Sequence, residues 1–138
     1  MERVGWALTT LLVVAAALGL FGDGPLARAS ASGADGTSVR YERFSRTRRP
    51  VDIEAVRPSH ADPARLRVGE AFLRAVELVA LDPPPSRSRV AGAERIYEFE
   101  GATSSVILHI EYRRAGRVAG SIAWGAADPV TFSTLVFP

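Results

Sequence analysis

Cysteine is absent from these 138 residues, and so is lysine. Without thiols there is no disulfide, no thiolate metal site and no cysteine nucleophile. A domain placed outside the cytoplasm must then hold together without a covalent staple. All seventeen basic residues are arginine. Together with the abundant alanine, that reads as GC-rich coding rather than nucleic-acid chemistry. A formal net charge of +2 is a small excess of base, and no nucleic-acid partner is expected. Charge is missing altogether from Val4 to Phe21, VGWALTTLLVVAAALGLF, and most of the biological reading follows from that gap.

Eighteen residues at about 1.5 Å each reach roughly 27 Å, close to the hydrocarbon thickness of a bilayer. The run therefore predicts a single membrane-spanning helix that meets lipid through Val4, Trp6, Leu11, Leu12 and Phe21. A cleaved signal peptide is the alternative. Arg3 and the amino terminus form a short n-region, and Ala27-Arg28-Ala29 and Ala29-Ser30-Ala31 both have the A-x-A pattern of a cleavage site. The run is longer than the h-region of about 7 to 15 residues that a signal peptide carries, which favours an uncleaved anchor. Arg3 on one side is balanced by Arg28 and Arg40 on the other, so the positive-inside rule leaves orientation open. The signal-like layout favours translocation of the rest of the chain. The expected location is the bacterial cytoplasmic membrane, single-pass with the domain outside, or secretion after cleavage near Ala29. A buried core helix is a poor reading, because a small soluble domain rarely surrounds an uncharged helix on every side.

Three regions follow: a membrane segment over 1–21, a flexible linker over 22–36 rich in glycine, alanine and serine, and one domain over 37–138. Val39 and Tyr41 alternate with polar neighbours, as do Val51, Ile53 and Ala55, so each set predicts a strand. Between them lie Arg43, Arg46, Arg48 and Arg49, read as a solvated loop or as a contact to anionic headgroups or an envelope polyanion. His60, in the turn-rich Arg57–Pro63 segment, is an isolated histidine with Asp62 two residues on. Residues 64–81 fit one amphipathic helix from Pro63, or a strand, a helical turn and a second strand. Gly69 and the alternation of Val76, Leu78 and Ala80 support the second form. Pro83, Pro84 and Pro85 cannot donate ladder hydrogen bonds, and they are expected to carry the chain from one sheet to the other.

The last third is clearer. Tyr97 and Phe99, then Val106, Leu108, Ile110 and Tyr112, then Val118, Ile122 and Trp124, then Val130, Phe132 and Val136 all recur with period two, the mark of half-buried antiparallel strands. If Tyr112 and Val118 share a face, they are expected to pair across a loop of Arg114, Ala115 and Gly116, with glycine at the left-handed position. That register sets Gly120 opposite Ile110 and predicts close backbone approach there. Short strands with regular turn signals describe an all-β, antiparallel, Ig-like sandwich of about seven strands after a single N-terminal helix. The Cys…Trp…Cys set of true Ig domains is missing.

The layout resembles a group of short uncharacterised bacterial envelope proteins with an N-terminal membrane segment and an Ig-like or fibronectin-like sandwich. The features that carry the resemblance are the apolar N-terminus, Gly22-x-Gly24-Pro25-Leu26, Tyr41-Glu42-Arg43-Phe44, Arg114-Ala115-Gly116-Arg117 and the terminal Val136-Phe137-Pro138. It implies a place at the envelope and brings no activity with it.

Catalysis needs several polar groups converging in a pocket, and candidates are few. Ser104, Ser105 and His109 lack the spacing of a nucleophile turn. If Tyr97 and Leu108 pair across the 101–104 loop, then Glu94 lies opposite Glu111, and His109, Glu98 and Glu111 share an outer face as three ligands for a divalent cation. A solvated face of charge pairs is the plainer reading. The sequence therefore predicts a non-catalytic module, without a cofactor, that binds a membrane-protein partner or an envelope component. The alternative is a metal-dependent or hydrolytic enzyme built on His109.

Overall fold

The computed structural model describes residues 2–17, 27–59 and 64–138. Expectations for Phe21, for linker residues 22–26, and for His60 and Asp62 lie outside the described residues. The N-terminal helix α1 is Glu2–Ala17, 16 residues long and so about 24 Å. Among the described residues no helix is long and apolar enough to cross a membrane. The sequence expectation of a full span thus reduces here to a shorter apolar helix.

Period-two alternation dictates most of the strands, because successive side chains point to opposite faces. In β4 (Pro50–Val56), Val51, Ile53 and Ala55 are buried while Asp52 and Glu54 face outward. β9 (Ser105–Tyr112) buries Val106, Leu108, Ile110 and Tyr112, and β11 (Val130–Phe137) buries Val130, Phe132, Thr134 and Val136. Two sheets result. One is ordered β1-β2-β4-β9-β6, using β1 (Arg28–Ser32), β2 (Ser38–Glu42) and β6 (Val76–Asp82). The other is ordered β3-β11-β10-β5-β8-β7, using β3 (Phe44–Arg46), β5 (Arg65–Gly69), β7 (Arg87–Ala91), β8 (Glu94–Glu98) and β10 (Gly116–Trp124). Their apolar faces meet in one core that includes Val39, Ile53, Leu66, Leu108, Ile122 and Trp124.

The eleven strands among the described residues exceed the Ig-like outline of about seven, and β3 runs parallel to β11 where the sequence predicts an antiparallel fold throughout. The additions are β1, β3 and β7. β1 lies inside the expected linker, where Ala29 and Ala31 pair with Tyr41 and Val39. β3 lies inside the expected basic loop, and β7 is exposed along its whole length. These strands form by backbone pairing at sheet edges and bury few large side chains, so hydrophobic alternation does not mark them. Residues 64–81 fold as strand, short helix and strand: β5, α2 (Glu70–Ala75) and β6. The prolines after β6 lead from the first sheet to β7 in the second, as their chemistry suggested.

The expected hairpin after Tyr112 does not form. Tyr112 and Val118 both face the core, but β9 and β10 belong to different sheets. Period two reports the face a side chain takes, and two packed sheets present facing sets that look the same as a pair within one sheet. Gly116 does have positive φ, 119°, but it turns a corner between sheets. β10 pairs instead with β11, which places Phe132 opposite Gly120, and a Cβ at Gly120 would collide with the Phe132 ring. The close approach at Gly120 is real, and its agent is Phe132 rather than Ile110.

Substituting Gly120→Val forces that ring to move within a packed core. Such overpacking costs about 1–3 kcal/mol. A lower midpoint in chemical denaturation checks it, with Ala119→Val on the exposed face as the unaffected control.

Candidate functional site

The three proposed metal ligands do not come together. β8 and β9 lie in different sheets, so Glu98 and His109 project from opposite outer faces, with about 10 Å of sheet spacing between the two backbones. Glu98 pairs with Arg65 at 3.1 Å. His109 lies opposite Asp52 on β4, and His109 Nδ1 and Asp52 Oδ1 share a hydrogen bond of 2.6 Å. Glu111 stays on the His109 face, where its neighbour across the ladder is Glu77 rather than Glu94. Like charges so placed repel, but Arg48 and Arg113 line the same shallow depression and supply cationic charge there. Among the described residues, no group of three His, Cys, Asp or Glu side chains converges to hold a metal ion. Ser105 shares the His109 face of β9 four residues away, about 13 Å at strand rise, too far for a proton transfer. The expectation missed Asp52 because alternation gives a face but not the neighbouring strand.

Two tyrosines respond to burial. Burial raises the Tyr112 phenol pKa above its ordinary value, against the hydrogen bond to Thr134, which lowers it. Burial also raises that of Tyr97, with Arg95 opposing. Arg67 is knitted in more tightly: its guanidinium bonds both oxygens of Glu94, at 2.8 and 3.1 Å, and the carbonyls of Gly125 and Ala127. The hydrogen bond to Glu94 raises its pKa, while burial lowers it. This polar network joins β5 and β8 to the β10–β11 turn.

The arginine segment is better ordered than a loop. Arg43 N–H donates to Ala27 O at 2.7 Å, and Arg43 O accepts from Leu135 N–H at 2.8 Å. Arg46 pairs in register with Phe137. Arg48 takes the left-handed region, φ 58°, and its N–H donates to Tyr112 O at 3.0 Å. Arg49 N–H donates to Arg46 O. The Arg48 contact with Tyr112 brings a second basic segment, Arg113, Arg114 and Arg117, to the same end of the sandwich. Seven of the seventeen arginines are thus collected from two segments more than sixty residues apart (~60–70). Composition contained this signal, but only strand pairing assembles it.

The described membrane-facing candidates on α1 are exposed: Trp6 by 75 % and Leu11 by 68 %, with Val4 and Leu12 likewise. No protein-family model, curated protein or solved structure matches this chain.

Two outcomes are expected. Because folding raises the Tyr112 and Tyr97 pKa values, the folded state holds protons that the unfolded state releases. Stability from these groups is complete below about pH 10 and is lost as pH rises through the folded values. Denaturation midpoints should fall above pH 10, and less steeply in Tyr112→Phe, which also loses about 0.5–1.5 kcal/mol at neutral pH with its hydrogen bond. Thermal midpoints with zinc, manganese and chelator should coincide; a rise with zinc that Asp52→Ala removes would restore a metal role for His109.

Proposed function

We propose that the protein is a non-catalytic binding module tethered to the bacterial cytoplasmic membrane, with its sandwich on the outer side. One observation carries this: α1 is apolar, yet its side chains from Val4 to Val14 are exposed. An uncovered helix of that kind needs an apolar environment, and a bilayer supplies one. In sequence, the uncharged run continues beyond α1 to Phe21. The outward orientation fits the small-residue A-x-A patterns at Ala27-Arg28-Ala29 and Ala29-Ser30-Ala31 after the apolar run, which suit a translocated chain.

Retention of the anchor is favoured by β1. Cleavage after Ala29 would remove Arg28 and Ala29 from a strand of five residues, along with the Ala27 carbonyl that receives Arg43 N–H. A released product would start with a truncated edge. Binding is assigned to the sheet edges and to the end nearest the tether. Edge strands offer unpaired backbone groups to an added strand, and β7, exposed throughout, is a regular edge of this kind in the second sheet. A membrane-protein neighbour or an envelope component is the partner class.

Expression in a bacterial host tests this. Intact mass in the membrane fraction, with the sandwich digested by protease added outside, is the expected result. A soluble product beginning near Ser30 would overturn the tether and leave a diffusing envelope protein.

A further inference from the structure

The basic end of the sandwich also carries an apolar corner. Phe44, Leu135 and Phe137 are 46 %, 42 % and 47 % exposed, and all three lie on the outer face of the second sheet. Leu135 pairs with Phe44 on one side and with Arg117 on the other, while Phe137 pairs with Arg46. The Phe44 and Phe137 rings stack at 6.4 Å. Arg46 and Arg117 therefore flank three neighbouring apolar side chains on one surface, while Arg43, Arg48, Arg49, Arg113 and Arg114 belong to the two segments that meet at the same end of the sandwich. The carboxylates nearest in register are Glu42, Glu77 and Glu111, so cationic charge prevails. Asp35, Asp82 and Asp128 lie toward the opposite end. The chain arrives from its apolar segment at Ala27, which is bonded to Arg43.

We infer that this corner docks onto the anionic headgroups of the bilayer, with Phe44, Leu135 and Phe137 entering the interface and the arginines around them meeting lipid phosphates. The inference rests on the tethering reading and adds to it: the sandwich lies against the membrane instead of hanging from it. Interfacial binding of this kind combines a small apolar area with attraction to anionic lipid. The electrostatic part fades within about 8 Å at physiological salt, so it acts only on a domain held close. The attachment at Ala27 holds it there. Charge complementarity and continuity with the apolar segment both favour lipid as the occupant of this corner over a protein.

The absence of cysteine permits a clean test. Full-length Thr9→Cys, Ala115→Cys and Ala126→Cys, each carrying an environment-sensitive fluorophore, are reconstituted into vesicles of phosphatidylcholine, with or without phosphatidylglycerol, containing a spin-labelled quenching lipid. Ala115 lies at the arginine end and Ala126 at the opposite end, and both are exposed. The expected result is quenching at Thr9 in both vesicles and at Ala115 several-fold more strongly with phosphatidylglycerol, while Ala126 stays unquenched. High salt and the double variant Arg46→Glu/Arg117→Glu should each abolish the Ala115 signal, and Phe44→Ser/Phe137→Ser should weaken it, with Thr9 unchanged. Quenching at Thr9 with Ala115 no different from Ala126 overturns the docking and leaves the tether standing. Loss of quenching at both Thr9 and Ala115 overturns the two together. Shielding of Ala115 in native membranes but not in pure lipid overturns the lipid assignment in favour of a protein.

Discussion

Tyr112, Thr134 and the carbonyl of Glu42 form the contact on which the arrangement of the two sheets depends. Tyr112 on β9 donates to Thr134 Oγ1 on β11 at 3.0 Å, and Thr134 donates to Glu42 O on β2 at 2.8 Å. The bonds start in the first sheet, cross to the second and return. Apolar contacts between packed sheets tolerate sliding, whereas buried polar groups are costly unless their partners are in place. This relay therefore fixes how the sheets align at one end. It is also where residues 43–49 cross from β2 through β3 to β4, with Arg48 N–H bonded to Tyr112 O. The order of the arginine segment follows from that closure.

Side-chain period made the faces legible. Val51, Ile53 and Ala55, or Val106 to Tyr112, show which atoms enter the core, and Gly69 with its neighbours marked the break around α2. Strand partners were not legible. The same period suits Tyr112 and Val118 as ladder neighbours or as residues facing each other from two sheets, and the second arrangement is the one adopted. The same ambiguity affects the metal reading separately, because Glu98 comes beside His109 only if β8 pairs with β9, and these strands lie in different sheets. Strands held by backbone bonds alone, such as β7 with its Arg-Ser-Arg-Val-Ala sequence, leave no apolar pattern to read.

The distribution of charge follows the same logic. A net charge of +2 suggests an unremarkable surface, but the fold sorts it. Arg65, Arg67 and Arg95 are matched by Glu98, Glu94 and Glu70, which neutralises the middle of the second sheet. The arginines of 43–49 and 113–117 are gathered at one end. A small overall excess thus becomes a dipolar domain, and orientation relative to a charged surface becomes a property of the fold rather than of composition.

The position of β1 has a mechanical consequence. A pull applied through the residues before Ala27 meets first the single Arg43–Ala27 bond and then the ladder pairs Arg28↔Glu42, Ala29↔Tyr41 and Ser30↔Arg40 in turn. A load directed across the ladder opens such a strand like a zipper, one pair at a time, whereas a load along its axis is resisted by all the pairs in shear. β1 buries only small side chains, so peeling it away leaves Trp124, Tyr112 and Phe72 enclosed. Under tension the chain lengthens at its outermost strand before the core feels the force.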